Sequence, residues 1–287
     1  MRYRFINEHQ NETSIQRLCN VLNVSRSGYY TWSHSKPTLR ERQNEELLER
    51  MRDIHQQSRQ TYGSPRMWNA LRAQGLRCSR KRVARLMRLH GIRAKMVRRF
   101  KITTRYRSTA LIAPDLVQRQ FRVQQPNRIW TSDITYIWTR EGWAYLAVVL
   151  DLYSRMIVGW EIGERLTTSL VATAVRRALY QRRPTQEIIL HSDRGSQYAS
   201  KDLHSLAKEQ SICLSMGKTG SCYDNAVTES FFHTLKSEHI YFHRYDTRLD
   251  ARTSIFDYIE TFYNQRRLHS TLGNLSPVQF ELQSTMT

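Results

Sequence analysis

The sequence has only four cysteines. Cys19, Cys78, Cys213 and Cys222 form no C-x-x-C pair. That scatter excludes the usual zinc ribbons and disulfide frameworks and leaves reduced, structural thiols. No run of 18 or more apolar residues occurs, which excludes a transmembrane helix. Met1 to Gln10 lacks the apolar stretch and small-residue cleavage site of a secretory signal, so a cytosolic protein is expected. No repeat of fixed period and no low-complexity tract is present. Acidic residues are scarce in one half: residues 1–127 hold 8 Asp and Glu against 27 Lys and Arg, whereas residues 128–287 hold 17 against 18. Nearly all of the net charge of +20 therefore lies in the first half, an electrostatic footprint for a polyanion. A membrane surface fits less well, because the basic helices lack a broad Trp/Phe/Leu face. Solubility alone would be better served by mixed signs.

The basic half reads as helical. Ile15, Leu18, Cys19 and Leu22 share one face within Thr13 to Trp32, and Ser25 can cap the second short helix of that segment. A small helix-turn-helix and a plain helical hairpin both fit this segment. Leu39 to Ser58 is a longer amphipathic helix with Leu47, Leu48, Met51 and Ile54 apolar. Gly63-Ser64-Pro65 interrupts, Pro65 to Ala73 is helical again, and Gly75 ends it. Ser79 occupies the N-cap position before Arg80 to His90. Val83, Leu86 and Met87 then point inward, leaving Arg80, Lys81, Arg82, Arg85 and Arg88 for the other faces. Helix, glycine turn and basic helix is the layout of a DNA-binding helix-turn-helix; a basic helical spacer is the alternative. Arg93 to Arg107 comes next, with seven Lys/Arg in fifteen residues. Arg98, Arg99, Lys101, Arg105 and Arg107 are expected on an arm that lies along phosphates and positions without reading sequence.

From Asn127 the texture changes to strands. Ile129 to Trp138, Ala144 to Leu152 and Met156 to Ile162 are β-branched, aromatic and apolar runs separated by short turns. The second is apolar enough to be buried on both faces. Thr168 to Gln181, Lys201 to Gln210, Asp224 to His239 and Arg248 to Arg267 read as helices, and Glu187 to His191 and Ile212 to Met216 as short strands. The order β-β-β-α-β-α-β-α-α implies an α/β domain with a mixed five-stranded sheet flanked by helices. The expected organisation is a small helical segment over 1–36, a helix-turn-helix domain over 37–92, a basic arm over 93–126 and the α/β core over 127–287.

Three carboxylates stand out in that core. Asp193 comes after a short apolar strand, and ligands in open α/β sheets sit at strand C-terminal ends. Asp133 lies within the first strand, where a buried charge needs a counter-charge or a metal. Glu229 lies on a helix. At about 100° per residue, Asn225, His233 and Lys236 share its stripe, while Val227, Phe231 and Leu235 form the opposite, core-facing one. That polar stripe is either plain solvent surface or one wall of a site. Asp151 ends an apolar strand and is by chemistry alone as good a candidate as Asp193. His191, two residues before Asp193, is expected to pack. Trp130, Trp138, Trp143 and Trp160 are expected as core or sheet aromatics rather than base-stacking platforms.

The run from Pro126 to Lys236 resembles the catalytic core of DDE transposases and retroviral integrases. Pro126-Asn127-Arg128-Ile129-Trp130-Thr131-Ser132-Asp133-Ile134-Thr135 resembles the motif of the first aspartate, and His191-Ser192-Asp193-Arg194-Gly195-Ser196-Gln197-Tyr198 that of the second. Asp224-Asn225-Ala226 through Glu229 to Lys236 resembles the third, with thirty-five residues between Asp193 and Glu229. More narrowly, Val24-Ser25-Arg26-Ser27-Gly28-Tyr29-Tyr30, Tyr62-Gly63-Ser64-Pro65-Arg66 and Tyr263-Asn264-Gln265-Arg266-Arg267-Leu268-His269 resemble the OrfB product of IS-three-type bacterial insertion sequences. The paired-His, paired-Cys zinc domain of retroviral integrases is not visible.

The resemblance implies an RNase H-like fold. It also implies transposase activity on double-stranded DNA, with cleavage at element ends and transfer of the strand to a target. It implies that Asp133, Asp193 and Glu229 hold two Mg²⁺ (or Mn²⁺) ions, which suits hard oxygen ligands and a two-metal phosphoryl transfer. Lys236 is expected to contact phosphate near the metals or simply to pair with Glu229. Asn225 is expected to orient substrate or cap its helix. Asn264, Arg267 and His269 are expected in DNA contact or helix docking. Expected partners are further copies of the chain and an upstream OrfA product fused by frameshifting, in the bacterial cytoplasm at the nucleoid and away from membranes. A DNA-binding regulator with an inert core and an RNase H-type nuclease are the competing readings.

Overall fold

The structure is a computed structural model that describes residues 1–34, 36–95, 113–118, 123–217 and 226–285. Six helices come first: α1 (Arg2–Glu8), α2 (Ile15–Val21), α3 (Arg26–Ser33), α4 (Leu39–Gln57), α5 (Ser64–Ala73) and α6 (Arg80–Leu89). The side chains that start them obey capping chemistry. Ser14, Ser25 and Ser79 each accept a hydrogen bond from the backbone N–H three residues on, satisfying donors a helix start leaves unpaired. Thr38 and Glu41 cap α4 reciprocally: Glu41 N–H donates to the Thr38 hydroxyl, and the Glu41 carboxylate accepts from Thr38 N–H at 2.8 Å. Gly75, at φ +81°, takes the left-handed backbone that ends α5.

The chain divides into two compact units, Met1–Asp53 and Ile54–Thr287. In the first, Ile6, Leu18, Cys19 and Tyr29 make a small core among α1, α2 and α3. Helix α1 has no counterpart in the sequence reading.

The second unit carries β1 (Ile129–Thr139), β2 (Gly142–Asp151), β3 (Ile157–Gly163), α7 (Thr168–Arg182), β4 (Ile188–Ser192), α8 (Lys201–Glu209), β5 (Ile212–Met216), α9 (Ala226–Glu238), α10 (Arg248–Phe256) and α11 (Pro277–Thr285). The sheet order is β3-β2-β1-β4-β5. β1, β2 and β3 pair antiparallel, and β4 and β5 add parallel to β1. This is the mixed five-stranded sheet expected from the element order, in the RNase H-like form that the resemblance implied.

Strand β2 is buried on both faces, as its apolar run requires. Ala147 and Val149 face a core with α7 and α8, while Leu146, Val148 and Leu150 face one with α9 and α10. Helix α7 approaches β3 so closely that a Cβ on Gly159 would lie 2.3 Å from the Ala174 carbonyl oxygen. After α10 the chain continues as a π-helical stretch, Asp257–Tyr263. Tyr258, Ile259, Phe262 and Tyr263 from it fill the second core. Among the described residues no helix is long and apolar enough to cross a membrane.

Candidate active site

Register brings the two aspartates level. In the parallel pairing of β1 with β4, Thr131 lies opposite His191. Asp133 and Asp193 each lie two residues further on. Pairing with β4 stops at Thr131 among the described residues, so both aspartates lie just beyond the paired stretch. Asp193 stands just past the end of β4, exposed, its carboxylate accepting the Gly195 N–H at 3.0 Å. The Asp133 carboxylate accepts the Ile134 N–H at 2.7 Å.

Two hydroxyl bonds hold the surrounding elements against β1. Thr228 on α9 donates to Thr131 at 2.7 Å, with both side chains buried. Glu229, the next residue, is near enough for its charge to raise Asp133. Ser132 donates to the Val148 carbonyl oxygen at 2.8 Å and lies 2.9 Å from the Tyr198 hydroxyl. A serine has one proton to give, so the tyrosine donates the second bond. That bond ties the loop after Asp193 to the strand that carries Asp133.

The electrostatics agree with the register. Burial and then the neighbouring Asp193 push the Asp133 carboxyl up to about 8, with Glu229 adding to the rise. Glu229 is also raised, by desolvation and by Asp193. Desolvation raises Asp193, and the Gly195 N–H opposes the rise. The charge of Asp193 thus discourages ionisation of both Asp133 and Glu229, an arrangement that favours a nearby cation. Lys236 joins them: burial lowers it, whereas Tyr136 and Asp133 raise it. Its ammonium lies 4.8 Å from the Tyr136 ring centroid. Among the described residues no group of three or more His, Cys, Asp or Glu is arranged to hold a metal ion. By chemistry, carboxylate oxygens are donors of the kind that suits a hard divalent cation.

The helical-wheel reading of α9 holds. Phe231 and Leu235 are buried and Val227 packs beside them, while Glu229 and His233 are exposed. Asp151 has a different task from Asp193. It is wholly buried, accepts the Asn127 and Tyr153 N–H groups, and lies 3.5 Å from the Arg182 guanidinium. His191 is buried with its Nδ1 2.9 Å from the Ser215 hydroxyl. Arg80, Lys81, Arg85 and Arg88 are exposed on α6 and Arg82 partly so, while Val83, Leu86 and Met87 are buried. Asn225, Arg98, Arg99, Lys101, Arg105 and Arg107 lie outside the described residues, as does Cys222.

Arg267 requires a correction. It is buried, and its guanidinium grips Glu238 of α9 with two bonds of 2.7 Å. The side chain has no free face for DNA and docks the tail instead. Asn264 does the same for β3: its amide accepts from Ile157 N–H and donates to the Ile157 carbonyl oxygen. The sequence reading missed Tyr62, whose hydroxyl donates to the Arg266 carbonyl oxygen and accepts from Leu268 N–H. It missed Glu238 too, which Arg66 also approaches, at 3.4 Å. The only signal was that Tyr62-Gly63-Ser64-Pro65-Arg66 and the tail signature belong to one resemblance.

Models of an integrase core domain match residues 123–222 and 229–285, and a model of an HTH-like domain matches residues 42–100. The transposase InsF for insertion sequence IS3A of Escherichia coli (strain K12) is 43% identical over 284 residues, 98% of each chain. The chain belongs to the IS3 family of insertion-sequence transposases. A second relative, the insertion element IS600 uncharacterized 31 kDa protein of Shigella sonnei, is 41% identical, covering 92% of this chain and 97% of its own. Among solved structures, the HTLV-2 integrase catalytic core domain in complex with magnesium superposes with a TM-score of 0.44 at 15% identity, over 55% of this chain and 99% of that one. The BIV integrase catalytic core domain gives 0.41 at 21% identity, over 56% and 97%. The IS3-family assignment rests on the full-length relatives.

Proposed function

We propose that this IS3-family chain cuts DNA at the ends of its element and joins the freed 3′ ends to a new phosphodiester, using Asp133, Asp193 and Glu229. The observation that carries the reading is the register of β1 on β4, which puts Asp133 and Asp193 each two residues beyond a paired position; the Thr228–Thr131 bond beside Glu229 supports it. The three carboxylates would hold Mg²⁺ or Mn²⁺, two ions in the full reading. The metal would supply charge for activating the attacking oxygen and stabilising the leaving one. Lys236 orients the scissile phosphate from the cleft wall. Its position near Tyr136 and Asp133 supports that role over a surface pair with Glu229.

The exposed basic residues of α6 bind duplex DNA, the region 37–92 acting as the helix-turn-helix and 127–287 as the catalytic core. Two ends must be held together for joining, so the working form is a multimer. The deciding experiment incubates purified protein with DNA carrying the element's ends. Mg²⁺-dependent nicking of that duplex supports the reading. Binding without cutting favours a regulator, and preference for an RNA–DNA hybrid favours an RNase H-type nuclease.

A further inference from the structure

The hairpin of β1 and β2 leaves large rings open to solvent. Tyr136, Trp138 and Trp143 are 41%, 59% and 44% exposed, whereas Trp130 and Trp160 are buried as expected. In the antiparallel register Tyr136 opposes Tyr145 and Trp138 opposes Trp143, so the four rings project from one face of the sheet. They brace each other edge to face. Trp138 and Trp143 have centroids 4.9 Å apart at 74°, and Tyr136 and Trp143 5.1 Å apart at 88°. A braced, exposed aromatic cluster marks a binding surface, and such rings lose little freedom when covered.

Position and charge identify what covers it. Tyr136 is three residues beyond Asp133 on the same strand and Trp138 five, a rise of about 10 and 16 Å, with their rings on the face opposite the Asp133 side chain. Lys236 connects the two regions, with its ammonium over the Tyr136 ring and its charge felt by Asp133. A cation beside a row of rings matches a phosphate backbone with its bases laid on aromatic faces.

We infer that Tyr136, Trp138 and Trp143 form a stacking platform for unpaired nucleotides of the DNA strand that leaves the acidic cleft. The inference rests on the transposase reading of that cleft and adds to it that the DNA end is opened rather than held as intact duplex. Stacking is tolerant of base identity, so the platform separates strands without reading sequence.

The test uses the full chain, a short oligo(dT) strand and a duplex of the same length. Replacing both tryptophans (Trp138→Ala with Trp143→Ala) weakens oligo(dT) binding by about tenfold or more. It also removes the quenching of tryptophan fluorescence by that strand, while duplex affinity and circular dichroism stay as in the wild type. The paired Phe variants retain binding to the strand. Unchanged oligo(dT) affinity overturns the inference, as does an equal fall for strand and duplex. A shift from dimer to monomer in sedimentation also overturns it, because the patch would then join two copies of the chain. The binding assay needs neither metal nor cleavage. Selective loss of oligo(dT) binding therefore supports the platform even where the wild type cuts nothing, a result that would count against the transposase reading alone.

Discussion

The Thr228 hydroxyl donates to the Thr131 hydroxyl at 2.7 Å across the junction of α9 and β1. One residue beyond the donor is Glu229, and two beyond the acceptor is Asp133. This buried bond ties together the segments that carry Glu229 and Asp133. Thr228→Val keeps the shape but leaves the Thr131 hydroxyl without its partner, at a cost on the order of 1–3 kcal/mol. DNA cleavage should fall well beyond what the loss of stability explains, with duplex affinity unchanged. Thr228→Ser should restore most of it. Equal cleavage by the valine variant and the wild type would show that the bond does not set the site.

Asp133 is held in a cluster that penalises its charge. Asp133→Asn removes that penalty and should raise the melting temperature in EDTA by a few degrees, of order 4 °C, while abolishing cleavage. Mg²⁺ should raise the melting temperature of the wild type and leave the variant unmoved, because only a state with a cation site gains by mass action. Calorimetry with and without metal measures both effects. A variant less stable than the wild type in EDTA would contradict the account.

Arg267 and Glu238 form a buried bidentate pair, so Arg267→Ala strands a buried carboxylate. The expected loss is about 3–5 kcal/mol of stability, read by urea denaturation. Whatever fraction remains folded should bind duplex DNA with wild-type affinity and the same salt dependence. A folded variant with a shallower salt slope would return Arg267 to the DNA interface.

These outcomes divide along the line between what a sequence carries locally and what only packing creates. The strand order was legible because β2 is apolar along its length and tight turns separate β1, β2 and β3. Asp133, Asp193 and Glu229 were singled out because each belongs to a local motif that carries the resemblance. The partner of Arg267 was not: Glu238 lies 29 residues away on α9, and nothing local to an arginine distinguishes a buried one from an exposed one. Helix α1 escaped notice because a seven-residue helix with one buried side chain, Ile6, gives no periodicity to read. Trp138 and Trp143 fit the alternation of a buried strand, yet lie where the sheet face is open. Arg98, Arg99, Lys101, Arg105 and Arg107 of the expected arm lie outside the described residues.

Helix α6 exposes Arg80, Lys81, Arg85 and Arg88 beside a buried Val83-Leu86-Met87 stripe. Replacing Arg80, Lys81 and Arg85 with Gln should leave the fold intact and weaken duplex binding. For each phosphate contact removed, the slope of log affinity against log salt should fall by about 0.9. A titration over salt concentration measures it, and an unchanged slope would assign α6 to a spacer.

The most direct test of the shared acidic site is Glu229→Gln, an isosteric change at an exposed position that leaves packing alone. With Mg²⁺ and DNA bearing the element's ends, nicking and joining should drop by more than about a hundredfold, beyond the loss typical of residues that only support a ligand, while duplex binding persists. Wild-type cleavage by this variant would contradict the claim that Glu229 works together with Asp133 and Asp193.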